Sequence, residues 1–458
     1  MSVLLTGNFV TILDLFIVNV AIGSIQRDLH ASSAEVALFL VGYSAPYGIM
    51  LLNGARLGDL YGRRRIFLTG MALFSLASLL CGLAPTPEWL ITARALQGLG
   101  AALLMPQVFA SLRVLFEGNA RRRAFAVMGA VQGVAASVSQ LAGGFLIEHS
   151  VAGAGWRWVF LINLPVGLVA LIAGRLLIIE TRAAVPARLD LRGAMLSAFA
   201  LGLLLIPFME GQEYGWPWWS IALPLLSIPV FGYFYLHERA LSARGGAPVI
   251  DVCLFRNHRF VAGVLAIFLF YSSISSFFLS LTLLLQPGLG LSPLAAGTIF
   301  TPSAIAFFAA SLTGPKLANI MGHKALLSGV AMFWGAMVLA IGIGIASPDN
   351  VPLLIISLIL NGLGQGLVIP LALNAILSCL HVDHAGVGSG IVSTMQILGT
   401  AIGVAIVGVV FFSSIHHNGA LHDATHAVSF GHALALATVY NVVAVTISFI
   451  GFMWLSKE

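Results

Sequence analysis

Fourteen stretches of about twenty apolar residues, parted by short polar breaks, constrain this chain more than any other feature. A bilayer hydrocarbon core of about 30 Å is crossed by about 20 residues of α-helix, so each stretch is predicted to span a membrane. The spans lie near residues 5–25, 35–56, 66–84, 89–113, 124–147, 158–179, 192–209, 218–236, 260–286, 294–315, 324–346, 351–378, 387–412 and 431–455. With 59% hydrophobic and only 9% charged residues in 458, the chain carries too little charge to cover a water-soluble surface. An all-α polytopic membrane protein is the expected fold class. The first stretch has no basic residue before Arg27, carries Asp14 and lacks a small-x-small cleavage site, so it reads as a retained helix.

Orientation follows from Lys and Arg in the short loops. Placing the N-terminus in the cytoplasm puts Arg56, Arg63, Arg64, Arg65, Arg121, Arg122, Arg123, Arg182, Arg188, Arg192, Arg239, Arg244, Arg256, Arg259, Lys316, Lys324 and Lys457 inside, 17 of the 22 basic residues. Only Arg27 and Arg157 fall outside, and both termini are expected in the cytoplasm. The formal charge of +5 is thus a matter of topology, and no nucleic-acid partner is expected. Cys81, Cys253 and Cys379 form no close pair, so neither a disulfide nor a metal framework is implied. The longest polar interval, His237–Arg259, is too short for a domain with its own core. Function must reside among the helices.

The chain also repeats itself. Gly54-Ala-Arg-Leu57-Gly-Asp59-Leu-Tyr-Gly62-Arg63-Arg64 recurs as Gly314-Pro-Lys-Leu317-Ala-Asn319-Ile-Met-Gly322-His323-Lys324, offset by 260. Gly98, Leu99, Gly100, Leu103, Pro106 and Gln132 recur as Gly362, Leu363, Gly364, Leu367, Pro370 and Gln396, offset by 264. Related halves around a central site are a common transporter plan. The expected domains are a six-helix bundle over 1–180, two inserted helices with a cytoplasmic loop over 181–255, and a second six-helix bundle over 256–458.

These motifs resemble the major facilitator superfamily, and the fourteen spans are similar to its drug:proton antiporter branch, the multidrug efflux type. Leu57-Gly-Asp59-Leu-Tyr-Gly62-Arg63-Arg64 is similar to the superfamily's G-x-L-x-D-R-x-G-R-R loop, with Ala55 at the leading glycine and Leu60 at the usual basic position. Arg94-Ala-Leu-Gln97-Gly98-Leu-Gly100-Ala resembles the family's second motif, whose arginine is associated with proton coupling. Leu13-Asp14-Leu-Phe-Ile-Val-Asn19-Val-Ala is similar to L-D-x-T-x-V-N-V-A, with Phe16 for threonine. Trp156-Arg157-Trp158-Val-Phe160-Leu-Ile-Asn163-Leu-Pro165 resembles the W-R-W-x-F-x-I-N-x-P segment of the fourteen-helix group. Where the antiporter signature has glycine-proline, the fifth span has Ser139-Gln140. The resemblance implies a major facilitator fold, and a gate latch in which Asp59, Gly62, Arg63 and Arg64 pair across the halves with Arg113 and Arg122 as partners.

The residues themselves carry chemistry. Asp14 is an acid deep in a span, where a charge at the bilayer centre costs about 2.5–3.5 kcal/mol on insertion scales. It should face a cavity, where a proton and a cationic substrate could compete for it; the alternative is an aspartate satisfied by a neighbour's hydroxyl or amide. Arg94 stays charged and must pair with a carboxylate, carbonyls or water, or else snorkel to the interface. Asp14 and Arg94 are the expected proton-coupling pair. Phe268, Tyr271, Ser275 and Phe278 share one helix face, which suits flat hydrophobic molecules and organic cations, or plain packing. With Asn19, Gln97, Met105, Gln140, Asn361, Gln365 and Gln396, Phe268, Tyr271 and Phe278 make the expected substrate cavity. The stretch from His416 to His432, with His417, His422, His426 and Asp423, reads as a solvated outer loop, the alternatives being a metal site or a sensor of external pH.

The expected function is export of hydrophobic or cationic small molecules by alternating access, in exchange for protons. No P-loop is present, so no cofactor is expected and the proton motive force is the driver; no metal is expected either. Substrate, protons and lipids are the expected partners of a monomer in a bacterial inner membrane. A carrier of a lipid-like or acidic metabolite, leaning on Arg94 and Gln140, is the alternative, with a membrane sensor or scaffold beyond it. No HExxH, GxSxG or paired intramembrane carboxylates suggest an enzyme.

Overall fold

The computed structural model describes residues 1–148, 155–182, 190–211, 214–244, 246, 248–250, 252–291, 293–381, 384–417 and 426–455. Within these, a few side chains lie outside the described set, among them Asn19 and Gln140. Most of the histidine-bearing stretch 416–426 also lies outside it.

Among the described residues the chain is helical throughout. The helices are α1 (Ser2–Asp28), α2 (Ser33–Tyr61), α3 (Arg63–Gly82), α4 (Pro87–Leu115), α5 (Gly118–Glu148), α6 (Trp158–Leu161), α7 (Asn163–Leu177) and α8 (Leu191–Glu210). They continue as α9 (Trp218–Ala243), α10 (His258–Leu283), α11 (Pro293–Met321), α12 (Lys324–Ala346), α13 (Val351–Ser378), α14 (Ala385–His417) and α15 (His426–Leu455). Twelve spans among the described residues are long and apolar enough to cross a membrane, α6 and α7 counting together as Gly155–Leu177. The sequence reading of fourteen adds α1, whose described apolar run is the shorter Ser2–Val18, and α5, which carries Arg121, Arg122 and Arg123 near its start.

Two spans depart from the expected continuous helices, and proline explains both. Pro165 lacks an N–H and crowds the carbonyl four residues earlier, at Leu161, where the chain breaks between α6 and α7. Pro287 does the same to Leu283, and α10 gives way to a π-turn over Leu284–Gly288.

The chain divides into two compact units. The first comprises Met1–Glu117, Val134–Arg256 and Leu380–Thr394; the second comprises Gly118–Gly133, Asn257–Cys379 and Met395–Glu458. In the first unit α4 packs on α2 and α3, α1 on α7, and α8 against both α2 and α9. In the second, α13 packs on α11 and α12, and α15 on α10 and α12.

The internal repeat is legible in this packing. Gly98 of α4 lies so close to the Tyr43 carbonyl of α2 that a Cβ there would clash, and Gly362 of α13 meets the Ser303 carbonyl of α11 in the same way. Gly100 faces the Phe74 backbone of α3, and Gly364 the Phe333 backbone of α12, each leaving only 2.7 Å for a Cβ. Each contact is thus built twice, by the corresponding three helices of each unit.

Glycine is required where backbones touch, because no flexible side chain is there to yield. Gly98→Ala and Gly362→Ala are each expected to destabilise by about 1–3 kcal/mol, as overpacked cores do. Gly342→Ala, with nothing within 4 Å of its Cβ position, is expected to be neutral or slightly stabilising. Thermal unfolding of the purified protein in detergent distinguishes these outcomes.

Candidate functional site

The expected proton-coupling residues meet inside the first unit. Asp14 of α1 is fully buried, and Arg94 of α4 is 1% exposed. One Arg94 guanidinium nitrogen stands 2.5 Å from Asp14 Oδ2. It also donates to Gln97 Oε1 at 2.8 Å, which one turn of helix makes possible because residues three apart share a face. Gln97 Nε2 donates to Asp14 Oδ1 at 2.7 Å, and Asn163 Nδ2 to the same oxygen at 3.1 Å. Asp14 therefore spends both oxygens, one on a cation and one on two amides.

A further layer holds these groups in place. Ser78 of α3 accepts from Gln97 at 3.2 Å and from Asn163 at 3.1 Å while donating to the Phe160 carbonyl at 2.9 Å. Arg94 Nε donates to the Phe39 carbonyl at 3.4 Å, and its guanidinium carbon lies 4.3 Å from the Tyr43 ring centroid. The Tyr43 hydroxyl reaches the Thr11 carbonyl, and Cys81 lies against Gln97 Oε1. Ile17, Val18, Phe39, Leu90, Val159 and Phe160 form an apolar cluster beside this network. A charge pair taken out of water is tolerated only when its remaining hydrogen-bond capacity is met in this way.

The W-R-W segment sets the position of Asn163. Trp156 Nε1 and an Arg157 guanidinium nitrogen donate to Asp28 Oδ2, at 2.9 and 2.6 Å, and Arg157 also reaches the Ala84 carbonyl at 3.2 Å. These bonds tie the start of the α6–α7 span to the end of α1. The bonds from Trp156 and Arg157 hold the Asp28 carboxyl below its ordinary value of 3.8.

The expected latch residues have a different arrangement from the one anticipated. Asp59 pairs with Arg63 at 2.6 Å, both buried, one turn apart across the α2–α3 corner. Gly62 makes that corner with φ 102°, a left-handed conformation that favours glycine, and its counterpart Gly322 has φ 60°. Arg64 and Arg65 face Glu180 at 3.8 and 4.0 Å, and Glu180 also accepts the Arg64 backbone N–H at 3.0 Å. A carboxylate on the first turn of α3 satisfies an otherwise unpaired N–H and opposes the helix dipole. Arg113 donates to the Leu380 carbonyl and Arg122 to Asn119, so the bonds described for the two expected partners lead elsewhere. What lies on Asp59 instead is the start of α14, where a side chain at Gly386 would strike both carboxylate oxygens.

The remaining cavity residues divide between the units. Met105 is buried in α4. In the second unit Gln365 donates to Asn361 at 2.5 Å, Tyr271 is hydrogen-bonded to Gln396, and Phe278 stacks on Phe300 with centroids 5.4 Å apart. Phe268, Tyr271, Ser275 and Phe278 are all half-buried, and Ser275 contacts Thr400 at 3.3 Å. Asn361 Nδ2 is a buried donor without a partner among the described residues. Asn19 and Gln140 cannot be placed, their side chains lying outside the described residues; Ser139 turns its hydroxyl to the Ala136 carbonyl at 2.6 Å.

Sequence reasoning missed Ser78, Asn163, Glu180 and two further acids at span ends, Glu210 and Glu238, which are 5% and 1% exposed. Asn163 lay inside a quoted motif and could have been found as a polar residue within a span. The others carry no signal in sequence that distinguishes them.

A buried acid–arginine pair within a duplicated helical scaffold is now joined by sequence comparison. The profile of the Major Facilitator Superfamily matches residues 4–404 and 263–455. The chain belongs to the major facilitator superfamily. It is 36% identical over 419 residues to the "Probable actinorhodin transporter" of Streptomyces coelicolor, covering 90% of this chain and 72% of that protein. It is 34% identical over 463 residues to the "Puromycin resistance protein pur8" of Streptomyces alboniger, covering 97% and 88%. Among solved structures, the human organic anion transporter MFSD10 matches with a TM-score of 0.66 at 16% identity over 99% of this chain and 98% of that one. FucP in the outward conformation matches with a TM-score of 0.66 at 13% identity over 100% and 98%. The fold is therefore that of major facilitator transporters, and the protein is an integral, multi-pass membrane protein.

Removing one partner of a buried ion pair costs about 3–5 kcal/mol. Arg94→Leu is expected to destabilise the detergent-purified protein by that order, and Asp14→Asn in the same chain to restore part of the loss; denaturant unfolding of the single and double variants measures the coupling. At the Asp28 clamp, a lowered carboxyl contributes stability that is fully present above the ordinary value of 3.8 and is lost as pH falls through the lower folded value. Asp28→Asn should therefore lower the unfolding temperature at pH 7, and the difference from the native protein should shrink as pH falls below about 4.

Proposed function

We propose that this chain is a proton-coupled secondary transporter that exports hydrophobic, often cationic, small molecules by alternating access. The observation that carries the reading is the Asp14–Arg94 pair, a buried acid whose proton would compete with its own cation. Protonating Asp14 removes the counter-charge of Arg94 and loosens the bonds from Gln97 and Asn163 in one step. A proton thereby changes the packing of α1, α3, α4 and α7 together. The relatives support the export direction: their names describe transport of actinorhodin, resistance to puromycin, and, for a Streptomyces glaucescens protein 30% identical to this chain, tetracenomycin C resistance and export.

In this reading α1 and α5 also cross the membrane. At about 1.5 Å per residue, helices of 27 and 31 residues are longer than the hydrocarbon core. Fourteen spans then leave both termini in the cytoplasm of a bacterial cell, with two six-helix bundles and α8 and α9 inserted between them. The protein works as a monomer in the inner membrane, and the proton motive force is its driver. One proton crossing 100 mV supplies about 2.3 kcal/mol, but exchange of a monovalent cation for one proton moves no net charge. Such a cation is driven by the pH difference alone, a neutral substrate by pH and potential together. The alternative of an acidic or lipid-like substrate held by Arg94 is weakened by the place of its guanidinium, which is turned onto Asp14 rather than open to an anion.

Proton-driven accumulation of ethidium in inverted membrane vesicles tests the proposal. Native protein should concentrate the dye when the vesicle interior is acidified, and Asp14→Asn should lower the initial rate at least tenfold. Undiminished transport in that variant would place coupling elsewhere and favour the metabolite carrier. No proton-dependent transport by either protein would favour a sensor or scaffold.

A further inference from the structure

Away from the Asp14–Arg94 network, α8 and α9 bring together three ligand-bearing side chains that nothing in the sequence associates. Asp190 precedes α8 and His237 and Glu238 lie near the end of α9, 47 residues away in the chain. One ligand atom from each lies within 4.8 Å of the others. His237 Nε2 stands 2.8 Å from Asp190 Oδ2. Glu238 is 1% exposed and spends Oε2 on the Ile250 N–H at 2.8 Å.

One feature points to something bound between them. Glu238 Oε1 is buried and meets no donor among the described residues, facing only the Asp190 carboxyl, a costly condition for a carboxylate unless a cation or proton meets it. Gly193, in the first turn of α8, is packed against both acids: its N–H bonds to Asp190, and a Cβ there would lie 2.5 Å from Asp190 Oδ2 and closer still to Glu238 Oε1. Glycine therefore lets the two carboxylates approach the start of α8 together.

We propose that Asp190, His237 and Glu238 bind a single divalent transition-metal ion. Ligands about 2.0–2.2 Å from one ion stand about 3–3.5 Å apart, so His237 and Asp190, now 2.8 Å apart, need to part by only about half an ångström to share one. One imidazole nitrogen with two carboxylate oxygens suits Zn²⁺ or Mn²⁺, whereas Mg²⁺ prefers oxygen ligands and retains its waters. The ion neutralises two adjacent acids, one of them buried, and clamps the start of α8 to the end of α9 and to the strap at residues 248–250. Its role is structural, holding the inserted helix pair at a fixed angle, and it is independent of proton coupling at Asp14.

The test uses full-length protein purified without a polyhistidine tag, stripped with chelator, and titrated with Zn²⁺, Mn²⁺ or Mg²⁺ by calorimetry alongside thermal unfolding. The histidines of the 416–426 stretch could also take up metal, so the measurements are made in a background with His416, His417, His422 and His426 changed to alanine. The expected result is one Zn²⁺ or Mn²⁺ per chain, a raised unfolding temperature, and little response to Mg²⁺. Glu238→Gln and His237→Gln should each weaken binding at least tenfold and abolish the thermal shift, with Asp14→Asn keeping both. His237 is partly exposed, so its substitution is informative even where a change at the buried Glu238 impairs folding. Absence of binding by both metals, or binding untouched by His237→Gln, overturns the proposal.

Discussion

The Asp14–Arg94 ion pair is the interaction on which the first unit's architecture depends. Neither charge can be left alone in a lipid-embedded bundle, so each partner demands the other, and together they demand Gln97, Asn163 and Ser78 to meet the remaining hydrogen-bond capacity. Those five side chains come from α1, α3, α4 and α7. The registers of four helices are thereby tied to one carboxylate, and a change at that carboxylate bears on all four. Rigid packing elsewhere makes this useful: contacts at Gly98 and Gly100 leave no slack in which a local change could dissipate.

Duplication supplied the scaffold but not the charge. Glycine contacts recur faithfully between the units, yet the position offset by 264 from Arg94 is Leu358, and that of Gln97 is Asn361. In the second unit Asn361 meets Gln365, and Tyr271 meets Gln396, a neutral arrangement in which Asn361 Nδ2 is an unpaired donor among the described residues. The two units thus offer different chemistry from a common frame. One holds an ion pair sealed by its neighbours, and the other holds polar and aromatic groups with spare hydrogen-bonding capacity.

Much of this was legible in the sequence for a physical reason: membrane insertion makes every intramembrane charge conspicuous. Asp14 and Arg94 stood out individually on that ground, and the glycine repeats stood out because close helix contact tolerates few alternatives. Their mutual contact was not legible, since 80 residues separate the pair and nothing local reports on it. Ser78 was hidden because a serine in a span satisfies itself on its own helix at little cost. Glu180 was hidden in a polar loop, where an acid is unremarkable until the first turn of α3 is seen beside it. The anticipated roles of Arg113 and Arg122 came from resemblance alone, and charge-rich loops offer many pairings that sequence cannot rank. The breaks at Pro165 and Pro287 were visible as prolines but were absorbed into continuous spans by their hydrophobicity.

The break before α7 has a consequence for how this segment tolerates change. Asn163 sits two residues before Pro165, and its amide reaches Asp14 only because the helix restarts at that point and in that phase. Each residue of helix turns the next side chain by about 100°, so adding or deleting one between the break and the proline would swing the amide away from the carboxylate. Side chains along α7 that face outward can vary freely, as the exposed Leu168, Val169 and Ile172 suggest. Over evolutionary time the segment should therefore drift in composition while its length stays frozen.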